Sequence, residues 1–269
     1  PRRAKRKHHC PLFWRGRHLF RLHLRGILVG AGYTPGVDWR IAYYDWRLGP
    51  ISLNESGWMG NVKSLVEEMK EDSPNPNGRV VVIAHGAGCT HAYFLFAYVV
   101  DSTWKDTYVQ HLVLLGNVIA GGLPSTPAIT FLSQPFPDGI LMPGAQLQMM
   151  LIGASDYAVW TLPDATLWEA YGDLWIWAFA PGPVISWDAT ELNDFGDFLG
   201  ISQYWEYAIA NDRYPYPGWA SSHPGVNTTI ICGNGLSTGP ITTEFHTNVG
   251  PVAGFMNVTF TDAGDDTVP

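Results

Sequence analysis

A chain of 269 residues is long enough for one large α/β domain or two small ones. Hydrophobic residues make up 46 %, which excludes a disordered chain, and no apolar run approaches the roughly 18–20 residues that a membrane-crossing helix needs. Charge is unevenly placed: residues 1–25 carry nine Lys/Arg and no acid, while the remainder carries seven Lys/Arg against 24 Asp/Glu. The basic head could meet an anionic surface, but solvated basic tails are common, and residues 1–18 are read as a disordered head. No signal peptide is visible, and the chain, running from Pro1 to Pro269, is read as a fragment truncated at both ends.

In chain order, Leu19–Gly30 reads as a helix ending at glycine. Val37–Tyr44 looks like a strand, followed by the polar turn Asp45-Trp46-Arg47. Gly57–Asp72 fits an amphipathic helix, because Met59, Val62, Leu65, Val66 and Met69 fall at helical spacing. The Pro/Asn-rich turn Ser73–Gly78 ends it. A β-branched strand follows, Val80 to Ile83, then a glycine-rich turn and an apolar helix from Cys89 to Val100. His111–Gly116 is a short buried strand candidate. This alternation predicts a mainly parallel sheet with helices on both faces. Residues 124–225 break it: they are rich in Pro, Gly and Trp, with five of the 12 Trp inside Trp160–Trp187, and they read as an inserted cap. Regular structure resumes at Thr228–Cys232 and again at Phe255–Thr261.

Three cysteines, Cys10, Cys89 and Cys232, match no zinc spacing and leave one disulfide open. No metal site and no cofactor is expected. Three N-glycosylation acceptors, at Asn54, Asn227 and Asn257, lean towards a secreted or lumenal protein.

The chemistry concentrates in Ala84-His85-Gly86-Ala87-Gly88. A strand that turns sharply into a helix through a small-x-Ser-x-Gly frame lifts one side chain clear of the backbone, the nucleophile elbow of serine hydrolases. Here the raised position is Gly86, which has no side chain to attack with. Glycine tolerates the strained backbone of such a turn, so it would keep the shape while abolishing the attack. Losing a triad serine costs on the order of 10⁶-fold in turnover. Cys89 is the one rival nucleophile, in the first helical turn, but three residues past the tip and better read as a buried apolar residue. Gly86-Ala-Gly88 as a phosphate-binding turn lacks the third glycine of a dinucleotide fingerprint and the Lys-Ser/Thr of a P-loop.

A triad on this scaffold runs Ser, acid, His along the chain. Asp265 or Asp266, in a tight turn after a strand, could orient the histidine. Only four residues follow Asp265, and His223 and His246 precede it. His85 and His91 flank the elbow as packing or polar-cluster residues, and His111 opens a strand.

Several segments together resemble the lecithin–cholesterol acyltransferase family, in particular its lysosomal phospholipase A2 branch. They are Gly32-Tyr-Thr-Pro-Gly-Val-Asp-Trp-Arg40 with Tyr44-Asp-Trp-Arg47; Val81 to Gly88; Trp104-Lys-Asp106 with Leu114 to Gly122; Gly225 to Gly239; and Gly264-Asp-Asp-Thr-Val-Pro269. The resemblance runs from about Leu19 to Pro269. It implies an α/β-hydrolase core at 19–123 and 226–269, a lipid-facing cap at 124–225, and a Ser-Asp-His triad that moves a fatty acyl group from a phospholipid to water, a sterol or another alcohol. Carried over by position, Gly86 stands at the serine, Asp265 at the acid, and the Ala87 N–H is one oxyanion donor. The serine is replaced, and neither the histidine segment nor the early loop that supplies the second oxyanion donor is in the chain.

The expected partner is a phospholipid or acyl-lipid, with a peripheral membrane surface possible and no nucleic acid. The cap's Trp residues suit either a membrane–water interface or inward packing. Three readings of function remain. One is a catalytically inert homologue that still binds lipid. Another is an active acyltransferase whose natural residue 86 is serine. The third is a non-catalytic binding or regulatory module.

Overall fold

The computed structural model describes residues 24–73, 75, 77–119, 121, 156–160, 175–179, 185–187, 191, 194, 197, 219–232, 238–246 and 255–261. A short helix, α1, covers residues 24–30, the described part of the first expected helix. The segment expected as a strand over 37–44 is not one. It holds turns and extended chain with a single bridge between Pro35 and Trp39. The Asp38 carboxylate accepts the Thr34 N–H at 2.7 Å, and the Val37 and Asp38 N–H groups donate back to the Thr34 carbonyl. Those local bonds occupy groups that a ladder would need.

Helix α2 (Pro50–Glu55) starts with proline at its first position, where the missing N–H is not needed. Helix α3 (Trp58–Glu71) follows Gly57, which sits at φ 80°, and ends as the spacing predicts, with Met59 and Val66 buried. Arg40 pairs with Glu68 at 3.0 Å and with Asp72, fastening the irregular segment to this helix.

Strand β1 (Val80–His85) leads into α4 (Ala87–Phe94) and then a π-helical turn, Leu95–Val99. The wider turn is closed by the Val100 N–H donating to the Leu95 carbonyl, five residues back. Tyr93 and Tyr98, also five apart, thereby both reach the 3₁₀ turn Trp219–Ser221. The Tyr93 hydroxyl donates to the carbonyls of Ala220, at 3.1 Å, and Ser222, and the Tyr98 hydroxyl to that of Trp219, at 3.2 Å. Helix α5 (Ser102–Tyr108) is capped by Asp101, whose carboxylate accepts the Trp104 N–H at 2.8 Å. Strand β2 (Val109–Leu115) begins two residues before its expected start.

Helix α6 (Asp156–Trp160) and strands β3 (Trp175–Phe179) and β4 (Ile185–Trp187) are the described helix and strands between residues 124 and 218. Where regular structure was expected to resume, the chain forms strand β5 (Thr228–Ile231) and strand β7 (Phe255–Thr261). Strand β6 (Thr238–His246) was not foreseen, because Gly239 and Pro240 punctuate its start; the ladder slips at Pro240, which has no N–H to donate.

Two sheets result. The first is parallel, in the order β1-β2-β5, with His85 beside Leu115 and Leu115 beside Ile231. The second has the order β4-β3-β6-β7, with β3 and β6 parallel and the outer pairs antiparallel. On the first sheet, Ala84, Leu112 and Leu114 share one buried cluster with Leu53, Met59, Val66, Phe94 and Trp104 from the helices. The opposite face is open among the described residues: Val81, Ile83 and Ile231 are 46 %, 42 % and 51 % exposed. This is an α/β fold with a parallel sheet, one face of which packs against α2, α3, α4 and α5.

Candidate active site

The carboxyl ends of β1, β2 and β5 lie side by side, the edge at which open α/β sheets bind ligands. Gly86 is the single residue between β1 and α4. Its φ of 53° and ψ of −125° make the sharp strand-to-helix reversal foreseen from the sequence. Two hydrogen bonds hold the turn: the Gly86 N–H donates to the Leu115 carbonyl at 3.1 Å, and the Cys89 N–H to the Gly86 carbonyl at 2.9 Å. A Cβ built on Gly86 meets nothing within 4 Å. The position is therefore raised and open, although its backbone favours glycine.

Ala87 is the first residue of α4, so its N–H is one of the groups that a helix leaves without an internal acceptor. That N–H stands at the positive end of the helix, where negative charge is favoured. Asp265 and Asp266 lie outside the described residues, as does Cys10.

Cys89 is fully buried. Burial pushes its thiol up to about 12, and its Sγ lies 3.5 Å from the Leu115 carbonyl. A thiol held so far from ionisation is no nucleophile at neutral pH. Cys89 and Cys232 are both free. His85 is exposed and has partners, and His111 Nε2 is 2.7 Å from the Thr229 hydroxyl.

Of the two roles expected for His91, packing or a polar cluster, the structure shows packing. It is completely buried, with neither ring nitrogen hydrogen-bonded. Tyr44 and Tyr157 lie at 4.6 and 5.4 Å between ring centroids, and Trp58 at 6.1 Å. Burial drives its pKa down to about 4, with the Asp156 charge opposing in part, so the ring is neutral at physiological pH. The Asp156 carboxylate accepts the Gly49 N–H at 2.7 Å, joining α6 to the start of α2.

Tyr44 packs over the elbow helix. A Cβ on Gly88 would stand 3.7 Å from the Tyr44 hydroxyl. Asp45 pairs with Arg47, and the hydrogen bond from the guanidinium holds the carboxyl below its usual range. Tyr44, Trp58 and Asp156 were not foreseen at the elbow; the one signal was that Tyr44 and Arg47 bound a recognisable motif. Among the described residues no group of three His, Cys, Asp or Glu could hold a metal ion, and no helix is long and apolar enough to cross a membrane.

Residues 22–197 match the family model for lecithin:cholesterol acyltransferase. A phosphatidylcholine-sterol acyltransferase of Oryctolagus cuniculus is 28 % identical over 242 residues, 90 % of this chain and 50 % of the relative. A human lysosomal phospholipase A and acyltransferase is 28 % identical over 213 residues, 78 % of this chain and 47 % of the relative. The rat protein of the same name is 42 % identical over 91 residues, 33 % of this chain and 20 % of the relative. The chain thus spans about half the length of the first two relatives.

Proposed function

We propose, because the chain belongs to the lecithin:cholesterol acyltransferase family, that it is the acyl-handling part of a lipid O-acyltransferase or phospholipase homologue on an α/β-hydrolase core. Residues 124–225 form its cap. Its substrate class is phospholipid or another acyl-lipid, met at a membrane surface, and its compartment is secreted or lumenal. In this reading Gly86 occupies the nucleophile position, Asp265 the orienting acid, and Ala87 N–H one donor to the oxyanion. With no hydroxyl at residue 86 the acyl group has nothing to be transferred to, so the chain binds lipid without turning it over.

The observation that carries this reading is the Gly86 turn: a raised, open position at the head of a helix, in the backbone conformation of an elbow, without a side chain. The test is vesicle co-sedimentation and release of labelled fatty acid from phosphatidylcholine, using the protein as it stands and its Gly86→Ser variant. Binding without release by the Gly86 protein is expected. Release by the Gly86 protein would end the inert reading, and absence of vesicle binding by either protein would leave a module with no lipid role.

The open space at Gly86 also favours a second reading, in which the natural residue is serine and the enzyme is active. Serine codons AGC and AGT differ from glycine codons GGC and GGT by one base. Sequencing the natural transcript across codon 86 separates the two: glycine there removes the second reading, serine removes the first.

A further inference from the structure

At the amino ends of the same strands lies a cavity of about 460 Å³ whose lining includes Arg79, Lys105, Asp106, His223 and Gly225. It is separated from Gly86 by the length of β1, six residues or about 20 Å, so a ligand there does not share the elbow.

Two of the described cations line it. Arg40 and Arg47 pair with carboxylates, Lys63 lies 3.8 Å from Glu67, and Lys70 sits over the Tyr108 ring. Arg79 and Lys105 have no carboxylate partner among the described residues, and both line this one cavity. Arg79 is held in place by donating to the Asp106 carbonyl at 3.3 Å, which leaves the rest of its guanidinium fork unused.

Lys105 is only 8 % exposed, its stem packed and its ammonium against Gly225, where an added Cβ would be 2.8 Å from Nζ. Burial lowers its pKa, with Asp101 and Asp106 opposing; neither carboxylate makes an ion pair with it. His223 Nδ1 accepts the Gly225 N–H at 2.9 Å, which in the neutral ring leaves the proton on Nε2, a donor. An ammonium without an ion pair, an unfilled guanidinium fork and an imidazole N–H thus border one polar space in a chain of net charge −8.

We propose that this cavity is an anion site for a phosphate or phosphomonoester dianion, held by Arg79, Lys105 and His223. A dianion supplies the direct ion pair that Lys105 lacks and accepts the planar fork of Arg79.

The test is calorimetric titration of the protein with inorganic phosphate at constant ionic strength. One saturable equivalent is expected. Arg79→Gln, an exposed substitution that leaves the core untouched, should weaken Kd at least tenfold, as should Lys105→Gln; Lys63→Gln should leave it unchanged. A non-saturable response, or equal binding by wild type and Arg79→Gln, overturns the proposal. The source of the phosphate is then read by competition. Displacement by phosphatidylcholine vesicles containing phosphatidic acid assigns a lipid headgroup. Displacement by a soluble phosphomonoester alone assigns a free one. No step depends on turnover, so the outcome is independent of what residue 86 does.

Discussion

Replacing Gly86 by alanine isolates the backbone of the elbow from its chemistry. An added Cβ meets no atom within 4 Å, so there is no packing gain or clash, and what remains is the conformation: φ 53°, ψ −125°. Such a conformation costs a residue with a Cβ about 1–3 kcal/mol. In a chain somewhat larger than 250 residues each kcal/mol lowers Tm by about 2–4 °C, so the expected fall is about 2–12 °C. Gly86→Ser should fall by the same amount as Gly86→Ala, because the hydroxyl enters open space. Urea unfolding supplies the comparison, with a lowered midpoint and an unchanged m-value. An unchanged midpoint for both variants would show that the Gly86 backbone is not held in this conformation. A much larger loss for serine than for alanine would show that the space above the turn is filled.

Stability should also depend on pH through His91. The unfolded ring protonates near 6.5 and the folded ring only near 4, so the unfolded state binds more protons between them. Stability is then full above about pH 6.5 and falls as pH drops to 4, by on the order of 3 kcal/mol for this group. His91→Leu should flatten that part of the profile, and an identical slope in the variant would refute the assignment. Gly49→Ala should destabilise by about 1–3 kcal/mol through overpacking, because its Cβ would stand 2.5 Å from Trp160 Nε1. Near-ultraviolet dichroism should change with it, and a silent substitution would mean that Trp160 does not sit against α2. A thiol reagent at neutral pH should modify exposed Cys232 and spare Cys89 in the native protein, read by peptide mass spectrometry. Equal labelling of the two would contradict the burial of Cys89.

What the sequence determined by itself is local. The 3.6-residue spacing of Met59, Val62 and Val66 marked α3, and the β-branched run ending at a glycine frame marked β1, the elbow and α4. The sharp turn at Gly86 followed from the same frame, because a turn's backbone demands are written in the residues that make it. Where partners are distant in the chain, local pattern misled or was silent. Val37–Tyr44 has strand composition but bonds within itself, and β6 is a strand despite Gly239 and Pro240 because β3 and β7 flank it. The order β1-β2-β5, the packing of Tyr44 on His91, and the meeting of Lys105 with Gly225 bring together residues between 29 and 120 positions apart. Only the tertiary structure decides such pairs, because burial and electrostatic pairing are set by neighbours in space, and local periodicity reports one face of one element at a time.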